Sequence, residues 1–318
     1  MIQVFYTDPK TMGTYECEEG FSGGVNLDNK WVHLTNPTDR EIELVARVTG
    51  VSEDFLKVAL DEEEKARIDE EDGNVLTVFD IPVIEEDDSY YTYDTIPFAF
   101  VIAKGVIVSV CLKETAMVQG VINGRMKGFS TAKKTRSLYQ LLYFTHTKYI
   151  AYLRQIYKAS QRIQDVLEKT TKNKGLIQML ELEKSIVYFS TSLRSNNYVL
   201  EKLSKTSLIK KYEEDDELLD DVTIENRQAL EMCNIYREII NSTMDTWGSV
   251  ISNNVNSIMK VLTSLTLIVN IPMLISGIWG MNTWVPGEGK ALGFWLVCGV
   301  SGLLSGIIAL ILRKKKLL

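Results

Sequence analysis

Two long uncharged stretches near the end of the chain limit what it can fold into more than any other feature. Residues 261–279 and 291–312 form runs of 19 and 22 residues without a charged side chain, and only Glu288 and Lys290 carry charge between them. A helix needs about 20 apolar residues to cross the roughly 30 Å hydrocarbon core of a bilayer. The sequence therefore predicts two C-terminal transmembrane helices, at 258–280 and 291–312.

The ends of the chain predict one orientation in the membrane. Residues 313–316 are all Arg or Lys, and such clusters stay on the cytosolic side. The N-terminus has no basic segment followed by an apolar run, so it does not resemble a secretory signal. We therefore expect a multi-pass protein of the plasma (inner) membrane with both termini in the cytosol. Loop 281–290 faces outside, and 313–318 form a basic cytosolic tail.

Residues 1–130 have the pattern of a cytosolic α/β domain. Strands are predicted at 2–6 and 74–84, and the runs 96–103 and 106–112 meet at Lys104-Gly105 as a hairpin. Thr38 and Gly50 bracket a helical pattern, and Ser52 is placed to cap the next helix.

Residues 131–257 have the pattern of long helices and a stalk. Helices are predicted at 134–171 and 175–208, with the break at Gly175, and a third begins in the acidic cluster at Glu213. That helix has no clear interruption before Pro272. A continuous helix to Gly280 would be roughly 100 Å long at 1.5 Å per residue, so the chain is predicted to leave its α/β body along a stalk.

Composition excludes several function classes. A net charge of −7 argues against nucleic acid as a partner, because phosphate binding needs a basic surface. The two histidines lack a ligand pattern, and no phosphate-binding Gly-rich loop, GxSxG or HExxH motif occurs, so we expect neither an enzyme nor an organic cofactor. Four widely spaced cysteines are typical of a reducing compartment.

The first predicted span has a polar stripe that a lipid-facing helix does not need. Buried amides are costly without water or a partner, so several copies arranged around an axis would let the stripe line an aqueous path. Packing through small polar residues is the alternative explanation. Gly302 and Gly306 in the second span suit close packing on a neighbouring helix, as an outer support. The residues of the stripe, which are predicted to line this path, are Asn256, Met259, Thr263, Thr266, Asn270, Met273 and Gly277.

The first span ends in Trp279-Gly280-Met281-Asn282, with Pro272 upstream and a short loop, a second span and a lysine cluster downstream. In this arrangement the chain resembles the CorA-type magnesium-transporter family. The resemblance implies a funnel-shaped homopentamer with Gly280, Met281 and Asn282 as the selectivity filter. It further implies a hydrophobic constriction at Met259 and Leu262, and Mg²⁺ influx driven by the membrane potential.

The resemblance also implies that cytosolic Mg²⁺ binds between protomers and closes the path. By position, Asp245 is one ligand, with Asp61 or Glu62 as its partner on the neighbouring protomer. Glu288 is the acid of the external loop. The implied partners are further copies of the chain, membrane lipid and divalent cations.

Two departures from the family pattern leave the cation open. Asn270 is polar where an apolar residue is expected, and Lys290 offsets the single loop acid, Glu288. Zn²⁺, Co²⁺ or Ni²⁺ transport on the same frame is the main alternative, and a membrane-anchored scaffold is another. The sequence leaves a channel and a proton-coupled carrier equally open.

Overall fold

The computed structural model divides into two compact units, Met1–Ser242 and Thr243–Leu318. The finer predicted division, with boundaries after residues 130 and 257, stays a prediction. The residues that the structure describes are 1–9, 13–17, 21, 26–87, 90–126, 128–169, 173–209, 212–281, 284, 286, 290–315 and 317.

The described residues give an α/β body followed by long helices, as the sequence predicts. The strands are β1 (Ile2–Thr7), β2 (Thr14–Glu16), β3 (Lys30–Thr35), β4 (Arg67–Glu71), β5 (Asn74–Asp87), β6 (Tyr90–Ile102) and β7 (Ile107–Cys111). The helices are α1 (Asp39–Thr49), α2 (Glu53–Lys57), α3 (Ala116–Ile122), α4 (Lys134–Lys169), α5 (Asn173–Lys205), α6 (Glu213–Trp279) and α7 (Ala291–Lys314).

The strands form one seven-stranded sheet in the order β2-β1-β3-β7-β6-β5-β4. The predicted hairpin is confirmed as β6–β7, and Gly105 in its connection has φ +79°, which a residue with a side chain rarely adopts. The β3–β7 pair is parallel, with Trp31 opposite Ile107, and the other strand pairs are antiparallel.

Local capping explains where the first helices begin and end. The Thr38 side chain accepts from the Glu41 N–H and Glu41 accepts from the Thr38 N–H, and Gly50 ends α1 in the left-handed conformation. Ser52 caps α2 at the Phe55 N–H, as predicted, but α2 is short and continues as a single 3₁₀ turn, Val58–Leu60.

The sheet carries a hydrophobic core on each face, which gives the first unit three layers. On one face Phe79 and Phe98 pack with residues of α4 such as Leu142. On the other face Val101 packs with Ile42 of α1.

The predicted break at Gly175 is wrong, because α5 begins two residues earlier, at Asn173. A Cβ on Gly175 would lie 2.7 Å from Leu167 Cδ2 of α4. This glycine therefore permits close approach of the two helices.

A polar cluster joins the sheet to α4 and α5 at Asp80. Strand β4 pairs with β5 only up to Val78. Two residues further along, the Asp80 N–H donates to Asn196 Oδ1 (2.8 Å), while Asn196 Nδ2 (2.8 Å) and the Tyr149 hydroxyl (3.2 Å) donate to the Asp80 carbonyl. Burial raises the pKa of the Asp80 carboxyl to about 6, and a hydrogen bond with Ser192 partly opposes the shift.

We predict that Asp80→Asn removes a pH-dependent part of the unfolding free energy. The folded pKa lies above the unfolded value, so the fold takes up a proton between about pH 4 and pH 6. The Asp80 contribution to stability is therefore present at acid pH and is lost as the pH rises through the folded pKa. Thermal unfolding of the full chain at several pH values checks this. The unfolding midpoint shifts by roughly 2–4 °C for each kcal/mol in a unit of this size.

The matched control is Asp72→Asn at an exposed turn. At neutral pH Asp80→Asn is expected to unfold at a higher temperature than the native chain, with the difference shrinking toward pH 4. A difference that is the same at every pH would contradict the assignment.

Candidate ion-conduction site

Two described helices are long and apolar enough to cross a membrane, and they are the two that the sequence predicts. One is α6, through its C-terminal part, and the other is α7. Both apolar segments lie within the second unit, and few of their residues are buried in the chain itself.

Helices α6 and α7 are joined by a hydrogen bond from the Ser305 hydroxyl to the Ile268 carbonyl, and each helix is buried along one side. On α6 this side includes Ser264, which is 2% exposed, and the partly buried Ile268 and Ile275. On α7 it includes the buried Gly293 and Ser301.

The other predicted small-residue pair does not take part in this contact. Gly302 and Gly306 are exposed, and a Cβ added to either would meet nothing within 4 Å. Within its own chain, α7 therefore packs on α6 through a different face from the one that carries the GxxxG spacing.

The predicted pore-lining residues are exposed within a single chain, and three of them, Asn256, Met259 and Thr263, line a groove together with Leu312 of α7. Met273 is 67% exposed and lies nine residues after Ser264, which is two and a half turns of helix and so the opposite side. Leu262 is exposed as well, and so are the remaining members of the stripe: Asn256, Met259, Thr263, Thr266, Asn270 and Gly277. A pore-lining role requires such exposure, which apolar neighbours such as Leu265 and Leu274 also have, and that role stays a prediction.

The polar groups of the stripe differ in how they are satisfied. The Thr266 hydroxyl donates to the Leu262 carbonyl at 2.8 Å, one turn earlier. Among the residues that the structure describes, the amides of Asn256 and Asn270 have no hydrogen-bond partner. An amide in hydrocarbon without a partner is costly, which favours water on this face.

Helix α6 continues through Pro272, and α7 offers a donor to the carbonyl that the proline leaves without its helical partner. Proline has no N–H, so the carbonyl of Ile268, four residues earlier, lacks its helical donor. The Ser305 hydroxyl of α7 donates to that carbonyl at 3.4 Å. Such substitution by a neighbouring helix is how membrane helices tolerate proline.

The predicted filter begins where α6 ends. The Gly280 N–H donates to the Ser276 carbonyl at 2.9 Å, and the Met281 N–H to the Ile278 carbonyl at 3.3 Å. A Cβ on Gly280 would lie 3.3 Å from the Ser276 oxygen, so glycine suits this tight turn. Asn282 and Glu288, which were predicted as the filter oxygen and the loop acid, lie outside the described residues.

Comparison with known proteins identifies the family. The sequence profile of the family described as "CorA-like Mg2+ transporter protein" matches residues 26–314. The chain belongs to the CorA family. CorA proteins are transporters and not enzymes, so the chain is a magnesium or divalent-cation transporter with two candidate C-terminal spans.

A CorA relative from one organism matches most of the chain in sequence and in structure. The cobalt/magnesium transport protein CorA of Methanocaldococcus jannaschii is 28% identical over 294 residues, which are 89% of this chain and 90% of the relative. The complete structure of the CorA magnesium transporter from the same organism superposes with a TM-score of 0.81 at 25% identity, covering 98% and 97% of the two chains.

A more distant structure shares the fold alone. The ZntB cytoplasmic domain from Vibrio parahaemolyticus superposes with a TM-score of 0.58 at 12% identity, covering 80% of this chain and 97% of that one.

The acids predicted to regulate this CorA chain lie in different units. Asp245 is exposed on α6 in the second unit. Asp61 and Glu62 are exposed in the first unit, where the Asp61 carboxylate accepts from the Glu63 N–H at 3.0 Å. Among the described residues, no group of three His, Cys, Asp or Glu side chains is placed to hold a metal ion. A site shared between protomers stays a prediction.

Sequence reasoning missed the residues that join α6 to α7. The Pro272 position alone indicates that the Ile268 carbonyl needs an outside donor. The repeat of Gly293, Ser301 and Ser305 at multiples of four residues marks the contact face of α7.

We predict that Ser305→Ala and Pro272→Ala are coupled. Removing the Ser305 hydroxyl leaves the Ile268 carbonyl without a donor, whereas alanine at 272 restores the helical N–H. Ser305→Ala is therefore expected to destabilise the native chain by about 0.6 kcal/mol, a typical value for such bonds in membranes. The same change is expected to be neutral in Pro272→Ala.

A double-mutant cycle tests this coupling by comparing the native chain, the two single variants and the double variant. The free energy of unfolding of each is measured by titrating the protein in detergent with a denaturant. Ser301→Ala, on the same face of α7, is the matched control. If Ser305→Ala lowers the free energy of unfolding equally in the native and Pro272→Ala backgrounds, the Ser305 hydroxyl does not replace the helical hydrogen bond that Pro272 removes.

Proposed function

We propose that the chain forms a homopentamer in the plasma membrane and conducts Mg²⁺ into the cytosol along the exposed face of α6. The observation that carries the proposal is the exposure of the polar stripe within one chain, which runs along α6 from Asn256 to Gly277, three residues before Gly280. One copy with two apolar helices does not enclose water, so the path needs several copies around an axis, embedded in membrane lipid.

The stripe and the turn suit a hydrated divalent ion. Mg²⁺ gives up its water reluctantly, and side-chain carbonyls of a ring of Asn282 would bind it through that water. Neutral oxygens hold the ion weakly enough for release. The membrane potential supplies about 2.3 kcal/mol per elementary charge per 100 mV, and a divalent ion gains twice that amount. Both termini would then lie in the cytosol, as the basic end of α7 favours.

Cytosolic Mg²⁺ would also regulate the path. In this proposal Asp245 and either Asp61 or Glu62 of a neighbouring copy hold the ion while the path is closed. Met259 and Leu262 are exposed apolar side chains at the inner end of the stripe. A ring of them closes by excluding water, a mechanism that hydrophobic constrictions use.

Co²⁺ is the second candidate for the transported ion. The curated relatives that match are named cobalt/magnesium transport proteins, and the second, from Thermotoga maritima, is 32% identical over 90 residues. Methionine is the only soft ligand type in the predicted stripe, which favours an oxygen-preferring ion over zinc.

We predict that Asn282→Ala abolishes most Mg²⁺ uptake. The substitution removes the proposed ring of carbonyls, and a barrier increase of about 1.4 kcal/mol is already a tenfold loss of rate. The assay is uptake into proteoliposomes loaded with a Mg²⁺-sensitive dye under an inside-negative potential, with Asn254→Ala as the matched control outside the stripe. Co²⁺ replaces Mg²⁺ in a parallel arm.

Equal uptake by Asn282→Ala and native protein would rule out the proposed filter. Absent Mg²⁺ flux in intact native oligomers, with Co²⁺ flux retained, would reassign the cation and leave the path in place.

We predict that Leu262→Asn keeps the path open when Mg²⁺ inside the vesicles is high. An amide ring at the constriction stays wet, so regulation no longer stops the flux. The control is Val261→Asn, because the two side chains are equally exposed, at 53% and 54%, but point about 100° apart on the helix. Flux that internal Mg²⁺ stops in Leu262→Asn as in the native protein would contradict the proposed gate.

A further inference from the structure

A groove on the second unit lies beside the point where α6 begins its uncharged stretch. One wall is apolar and includes Leu267 of α6 and Leu312 at the end of α7. Asn253, Ser257 and Lys260 form a polar wall. Asn256, Met259 and Thr263 of the predicted stripe also line the groove, which therefore borders the proposed path. The groove thus combines a cation and hydrogen-bonding side chains with an apolar surface at the depth where a membrane changes from headgroups to hydrocarbon.

The basic end of the chain is held at this groove. The buried Ser264 hydroxyl donates to the Leu317 carbonyl at 2.9 Å, and the Leu317 N–H donates to the Leu312 carbonyl at 3.0 Å. Leu312 and Leu317 both line the groove. The exposed residues 313–315, an arginine and two lysines, lie between them in the chain and are therefore kept beside it.

These cations have no acidic partner nearby. Lys260 is the only charged residue between Asp245 and Glu288. In the part of the chain that the structure describes, neither Lys260 nor residues 313–315 form an ion pair. Residues 246–287 and 291–318 contain no Asp or Glu side chain that a second copy could place against these cations.

We propose that this groove binds the headgroup of an anionic phospholipid. The phosphate lies against Lys260 and the basic residues 313–315, and the start of an acyl chain follows Leu267 and Leu312. Basic grooves between membrane helices bind such headgroups, and each Lys or Arg near an anionic surface contributes about 1 kcal/mol. A free phosphate ion would leave the apolar wall uncovered. The inference needs the membrane placement of the proposed function but not its ion path.

The test is native mass spectrometry of the full-length protein in detergent, titrated with phosphatidylglycerol or with neutral phosphatidylcholine. We expect tighter binding of phosphatidylglycerol, weakened about fivefold by Lys260→Gln because about 1 kcal/mol is lost. Lys260→Arg keeps the charge and is expected to bind as the native protein does. Lys290→Gln, which removes a charge next to the opposite end of α7, is the matched control and is expected to have no effect.

Three results would overturn the proposal. Equal affinity for phosphatidylglycerol in Lys260→Gln and the native chain would remove the groove from lipid binding. Displacement of the lipid by inorganic phosphate would identify a free anion as the occupant. No retained lipid on an intact native oligomer would mean that a second copy covers the groove. None of these readouts uses ion flux, so a failure of the proposed transport leaves the lipid assignment standing.

Discussion

A helix in hydrocarbon must satisfy its own backbone hydrogen bonds, because no water is present to do so. Helix α6 runs from Glu213 to Trp279 through Pro272, whose missing N–H leaves the Ile268 carbonyl without its helical donor. The hydroxyl of Ser305 fills that gap, and the hydroxyl of Ser264 ties the end of the chain to the same side of α6. Both bonds lie on the buried side of α6.

The rest of the second unit follows from this arrangement. With one face of α6 given to α7, the face that carries Asn256 and Asn270 stays exposed within a single chain. The amides on this face need hydrogen bonds from water or from another copy of the chain. This requirement is why the fold of one chain favours an assembly of several copies around an aqueous path. The groove at Lys260 lies between the two faces, where a lipid headgroup meets a polar wall and an apolar wall together.

Local signals in the sequence predict much of the fold. These signals each depend on neighbouring residues. Thr38 caps the start of a helix, Gly105 lies in the connection of a hairpin, and the two uncharged stretches form two apolar helices. Strand β4 was missed because its acids Glu70 and Glu71 look like solvated surface, although Ile68 is buried between neighbours.

Contacts between distant segments were not predictable in the same way. The parallel pairing of β3 with β7 joins residues more than seventy positions apart, and no local pattern specifies it. Two side-chain hydrogen bonds also join residues that are far apart in the sequence. Asn196 bonds to the backbone of Asp80, and the Ser305 hydroxyl bonds to the Ile268 carbonyl. For the candidate site, the sequence predicted the stripe as a set of residues on one face. The hydrogen bond from Ser305 of α7 to the Ile268 carbonyl of α6 came only from the structure.

The central claim is that the exposed face of α6 meets water in the assembled protein. Single cysteine substitutions test this claim in a background from which the exposed Cys298 has been removed. The first set replaces Asn256, Thr263, Asn270 and Met273 on the exposed face. The second set replaces Ser264, Ile268 and Ile275 on the buried side. The account predicts fast modification by a small charged thiol reagent along the first set, and none along the second, in membranes. Equal labelling of both sets, or labelling of the second set alone, would contradict it.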